Sequence, residues 1–227
     1  MTARTAPTVR YQTALLLRSQ RWLPPFLLYA AFLGIGVQGG QPLLDSLGYS
    51  AAALLPVAAW LVRICVGNEP PAARTVVAAA VGPARAHLAC VLVALGTATV
   101  FGTAATALVG FISDPVGADH QRRVPVLAAT AAGLLAALTC ALLGTAVGVL
   151  TSRPVLRTTG RAVPALLIAA LLALVVSGSP AHAAVSGLVG GSHSATVRLP
   201  VLPLAAAALV TAAATAAACA LTSRRSP

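Results

Sequence analysis

The chain has 227 residues, of which 58% are hydrophobic and only 8% charged, with a formal net charge of +11. Soluble domains average about 25% charged residues, so this composition cannot cover a water-facing surface and excludes a soluble globular fold. The fifteen basic residues are all arginine and fall between long apolar runs, not on one face beside stacking aromatics, which argues against nucleic acid as a partner and for membrane flanks.

Residues 9–22 predict an amphipathic helix lying on the membrane. At about 100° per residue, Arg10, Arg18 and Arg21 share one face, and Tyr11, Leu15 and Trp22 form a neighbouring stripe. The arginines suit anionic lipid, and Trp22 suits the interface, so these four residues are the expected interfacial anchor. The first apolar run opens at Leu23 with no convincing cleavage site after it, and is read as a retained span over 23–39. Pro24-Pro25 fit its first turn. An outer loop holds Gln41, Pro42 and Asp45, and a second span covers 50–66.

The next segment reads NEPPAARTVVAAAVGPARAH, residues 68–87. Asn68 can cap a helix, Glu69 favours a helix N-terminus, and Pro70-Pro71 suit the first turn. Residues 72–81 predict a short, mostly apolar helix with Arg74 projecting from it, stopped at Gly82-Pro83. Water tolerates such a helix poorly, so it needs a cover. That cover is either a partner protein or the membrane surface and the other spans.

Further spans follow at 86–112, 124–150, 162–176 and 200–221. Between them lie an outer loop at 113–123, a basic loop at 151–161 and a Gly/Ser/His loop at 177–199. The expected fold is all-α and integral to the membrane, one domain over 1–227 with six transmembrane helices. Arg4, Arg10, Arg18, Arg21, Arg63, Arg74, Arg85, Arg153, Arg157, Arg161, Arg224 and Arg225 fall on one side; Arg122, Arg123 and Arg198 fall on the other. The richer side is read as cytoplasmic, which puts both termini there.

Small residues recur every fourth position at Ala94, Ala98, Gly102, Thr106 and Gly110, and Gly144 and Gly148 form a GxxxG. Both patterns permit close helix packing without identifying the partner helices. Cys65, Cys90, Cys140 and Cys219 contain no CxxC pair and read as small apolar core residues.

The acids Asp45, Glu69, Asp114 and Asp119 all lie in predicted loops, so the spans lack the membrane-depth carboxylate typical of proton-coupled carriers. The chain has no lysine and therefore no ordinary P-loop, so any ATP it uses is hydrolysed on another chain. No HExxH or GxSxG motif occurs, and an intramembrane enzyme is disfavoured. Asp114, Asp119 and His120 lie close in sequence, but Arg122 and Arg123 beside them oppose a cation, and the segment reads as a solvated loop. His182 and His193 read as loop polarity. No catalytic, cofactor-binding or metal-ligating residue is assigned.

These features together resemble the permease subunits of bacterial ABC-2 type ATP-binding-cassette exporters. The resemblance rests on the leading segment YQTALLLRSQRW, six spans, cytoplasmic ends, a long last outer loop and the short helix EPPAARTVVAAAV. It implies that this helix is a coupling helix, with Glu69, Ala72, Arg74, Thr75 and Val76 near the contact with a cytoplasmic P-loop ATPase. It also implies a second permease copy, ATP and Mg on the partner chain, a cytoplasmic-membrane location, and an amphipathic or lipid-like cargo along Ala/Leu/Val-rich walls. The alternatives are an accessory membrane subunit without its own pathway and, less favoured, a secondary carrier.

Overall fold

A computed structural model describes residues 5–119, 121–152 and 159–224, without the side chains of Pro71, Thr159 and Arg161. Arg4, His120, Arg153, Arg157 and Arg225 lie outside the described residues, as does the Arg161 side chain. Among those described, the fold is entirely helical apart from two isolated bridges, Pro42 with Asp114 and Val116 with Arg123.

The helices in chain order are α1 (Thr5–Ser19), α2 (Leu23–Gly36), α3 (Leu43–Gly67), α4 (Pro71–Val81), α5 (Pro83–Ile112), α6 (Val126–Thr151), α7 (Thr159–Val175), α8 (Pro180–Ser194) and α9 (Val201–Arg224). Four of them, α3, α5, α6 and α9, are long and apolar enough to cross a membrane, and α7 with α8 makes a fifth crossing if the bent pair is one span. The chain is thus built as a multi-pass membrane protein. Helix α2 has 14 residues, about 21 Å at 1.5 Å per residue, against a hydrocarbon layer of about 30 Å.

Helix α3 is the hub, packed against α2, α5, α6, α7 and α8. Its tightest neighbour is α6, and three glycines explain why. A Cβ on Gly133 would lie 2.7 Å from the Leu47 side chain, and one on Gly148 would lie 2.6 Å from the Ala59 carbonyl oxygen. A Cβ on Gly144 would collide with the Leu55 carbonyl. The GxxxG pair therefore serves α3, and the rising register (133 with 47, 148 with 59) makes the two helices parallel. The stripe on α5 also faces inward: Ala94, Ala98, Gly102 and Thr106 are buried, with Gly102 against Leu54 of α3.

Three expectations are corrected. The helix of the expected second span, α3, starts at Leu43 instead of residue 50, so Asp45 sits in its first turn and not in a loop. An acid there is favoured by the helix dipole. Helix α1 begins at Thr5 and buries Thr8, Gln12 and Leu16, four residues apart, against α5. The expected stripe of Tyr11, Leu15 and Trp22 is less covered, because α1 docks on protein along a face one residue round; Arg10, Arg18 and Arg21 remain exposed.

The third correction is the loop at 177–199, most of which is helix α8. Leu188 packs beside Gly48 and Ser192 Oγ donates to Asp45 Oδ2 at 2.9 Å, so α8 runs antiparallel to the start of α3. Helices α7 and α8 meet at a 48° bend, the geometry of a broken span or of a re-entrant loop. The break is chemically closed. Ser179 caps α8 by accepting from the Ala181 N–H at 3.3 Å, Pro180 opens its first turn, and His182 Nδ1 lies 3.0 Å from the Leu174 carbonyl of α7. Gly and Ser hid this helix from composition, but capping and burial of Ala181, Ala184 and Leu188 outweigh their low propensity.

Candidate functional site

At the arginine-rich end, α1, the last turn of α3, all of α4, the first turns of α5 and the last turn of α9 converge. Helix α3 stops at Gly67, and its final carbonyls lack intrahelical partners. Arg74 supplies one: its Nη2 group donates to the Val66 carbonyl at 3.3 Å and to the Glu69 carbonyl at 3.1 Å. A cation at a helix C-terminus is also favoured by the dipole. So Arg74 does not project from α4 as the sequence led us to expect; it folds back and fastens α4 to α3. Asn68 Nδ2 donates to Ser19 Oγ at 3.2 Å, which ties the end of α1 to the same corner.

Glu69 turns inward and is only 5% exposed. Burial, then the nearby Glu69 carboxylate, raises the Tyr11 hydroxyl above its ordinary value. Pro70 and Pro71 start α4, and Gly82 ends it at φ +89°, a backbone region that favours glycine. The Gly82 N–H closes α4 on the Ala78 carbonyl at 2.9 Å, and Pro83 opens α5 at once. Gly82 alone separates α4 from α5.

Of the five sequence-predicted contact residues, Ala72 and Val76 share the outward face of α4 with Ala79 and Ala80, and Val76 is 69% exposed; Thr75 is exposed too but lines the cavity on the inner side. Glu69 and Arg74 belong to the inner side. That inner side encloses a cavity of about 250 Å³ lined by Val66, Glu69, Arg74, Ala78, His87 and Cys90 among others. His87 is 8% exposed, and its Nε2 is buried with no partner among the described residues, as is Glu69 Oε1. That His87 lines the same cavity as Glu69 was not read from the sequence. The available signal was the i, i+3 spacing of His87 and Cys90, which puts both on one face of α5.

Two other features stand apart. An apolar groove of about 470 Å³ runs between α2 and α5, lined by Phe26, Leu33, Phe101, Leu108 and Ile112 among others. Trp22, Phe26 and Phe101 stack edge-on in sequence at 5.8 and 5.4 Å. At the opposite end, Asp119 accepts from the backbone N–H groups of Gln121 and Arg122, which hold its carboxyl below the usual carboxylate range. Its contact with Arg122 at 3.9 Å is exposed and contributes little.

Comparison with known proteins finds no matching family model, no matching curated protein and no matching solved structure.

Proposed function

We propose that this chain is the membrane-spanning permease subunit of an ATP-driven ABC-2 type exporter, coupled to a separate P-loop ATPase. In this reading α2, α3, α5, α6, the α7–α8 pair and α9 are the six spans. Both termini then face the cytoplasm, on the arginine-rich side of a bacterial plasma membrane. A second copy completes the pathway, and ATP with Mg is held by the partner.

The observation that carries the reading is the build of α4. It is a short helix whose inner side is fastened and whose outer face is bare. Arg74 joins it to α3, Gly82 joins it to α5, and Ala72, Val76 and Ala79 face away from the protein. A push on that face reaches two spans at once, and one of them is the hub of the bundle. ATP binding supplies such a push by favouring one of two conformations of the whole assembly. The apolar groove between α2 and α5 suits a lipid-like or amphipathic cargo better than an ion.

The test is purification of the tagged full chain from its own cells in mild detergent. A P-loop ATPase should co-purify in comparable amount, with its hydrolysis stimulated by the permease. Val76→Asp should weaken association by about tenfold or more, since a charge would be buried in an apolar contact. A pure, monodisperse chain that never carries an ATPase contradicts the proposal.

A further inference from the structure

Glu69 and His87 come from different elements, the α3–α4 corner and the first turn of α5, yet both line the same cavity of about 250 Å³. Both are more than nine-tenths buried, and both keep a polar atom without a protein partner, Oε1 and Nε2. The Tyr11 hydroxyl hydrogen-bonds the Glu69 carboxylate but leaves Oε1 without a donor, and such unmatched buried atoms are costly. Arg74 lines the cavity too. Its Nη2 hydrogens are committed to two carbonyls, which leaves those on Nε and Nη1. Among the described residues the only ion pair is Asp119–Arg122, so Glu69 and Arg74 share the cavity without pairing. Opposite charges held apart in this way match a ligand that carries both.

We propose that the cavity binds a phosphoethanolamine-type head group, with its ammonium on Glu69 and His87 and its phosphate oxygens on Arg74. Arginine and phosphate match as charge-assisted donor and acceptor. The remaining walls, Val66, Ala78 and Ala86, take the short carbon linker. A volume of 250 Å³ has room for several water-sized groups, which suits a head group and not a whole lipid. The depth is also right. The cavity lies at the ends of α3 and α5, and α1, packed on α5, leaves Arg10 and Arg18 exposed, as suits a head-group layer. The site does not depend on whether α4 docks an ATPase. The head group can come from a membrane aminophospholipid or from a soluble phosphoethanolamine.

The test uses the delipidated full chain in detergent, offered equal phosphatidylethanolamine and phosphatidylglycerol and read by native mass spectrometry. Wild type should retain phosphatidylethanolamine in preference. Glu69→Gln should reduce that retention about tenfold, and His87→Leu should reduce it as well, giving a second variant should Glu69→Gln fail to fold. Asp119→Ala, exposed at the opposite end of the molecule, should leave it unchanged. Displacement by free phosphoethanolamine would assign the soluble source; retention despite it would assign the lipid. Equal retention of the two lipids, or a preference that survives both variants, overturns the proposal.

Discussion

A methyl group on Gly148 would sit 2.6 Å from a backbone oxygen of α3, which cannot swing aside as a side chain can. Gly148→Ala should therefore destabilise the bundle by about 1–3 kcal/mol, the usual cost of overpacking. Gly96, also helical, meets nothing within 4 Å, so Gly96→Ala should be neutral or stabilise by up to about 1 kcal/mol. Thermal unfolding in one detergent compares the pair directly. Asp119 offers a pH test. Its carboxyl is held below the usual value by two backbone N–H groups, so its contribution is present above about pH 4 and lost as pH falls through the lower folded value. The stability gap between wild type and Asp119→Ala should be constant near neutrality and close on acidification below pH 4. At this scale the sequence was legible where chemistry is local. The GxxxG was visible as a packing device, but its partner helix depends on register across the bundle. Arg74 and Glu69 were visible as a pair near a helix start, but their inward turn depends on the vacant carbonyls of α3 and on α5 lying alongside.

Among the elements, α8 departs furthest from what composition implies. Its sequence PAHAAVSGLVGGSHS contains glycine and serine throughout, and isolated helices of that kind do not form in water. Packing against α3 and α6 supplies what propensity lacks. The break before it is then the weak point. Ser179→Ala removes a cap and should cost about 0.5–2 kcal/mol, and His182→Ala should expose the Leu174 carbonyl. Hydrogen exchange at residues 176–182 should rise in either variant while α3 stays protected. The short helix α4, in contrast, was readable almost to the residue, because prolines at its start and Gly82-Pro83 at its end are backbone signals that tertiary structure rarely overrides. Arg74→Met should loosen α4 without unfolding the spans, seen as faster exchange across residues 70–81 alone.

For the whole molecule, the all-helical membrane fold followed from composition, while the number of crossings did not. Helix α2 ends three residues earlier than hydropathy alone implies, and a fifth crossing exists only if the bent α7–α8 pair is one span. The carboxylate argument also changes shape. Asp45 and Glu69 stand at the two ends of α3, and the stretch between them carries no acid. Mid-membrane proton relay through that hub thus lacks its usual group. On the proposed function the driving force comes from a second protein, reached through the bare face of α4. The most direct measurement places a photo-cross-linking amino acid at Val76 in native membranes and identifies what it captures. The proposed function predicts an adduct with a P-loop ATPase whose yield changes when ATP is depleted. Adducts confined to lipid and to other copies of this chain, with or without ATP, would contradict it.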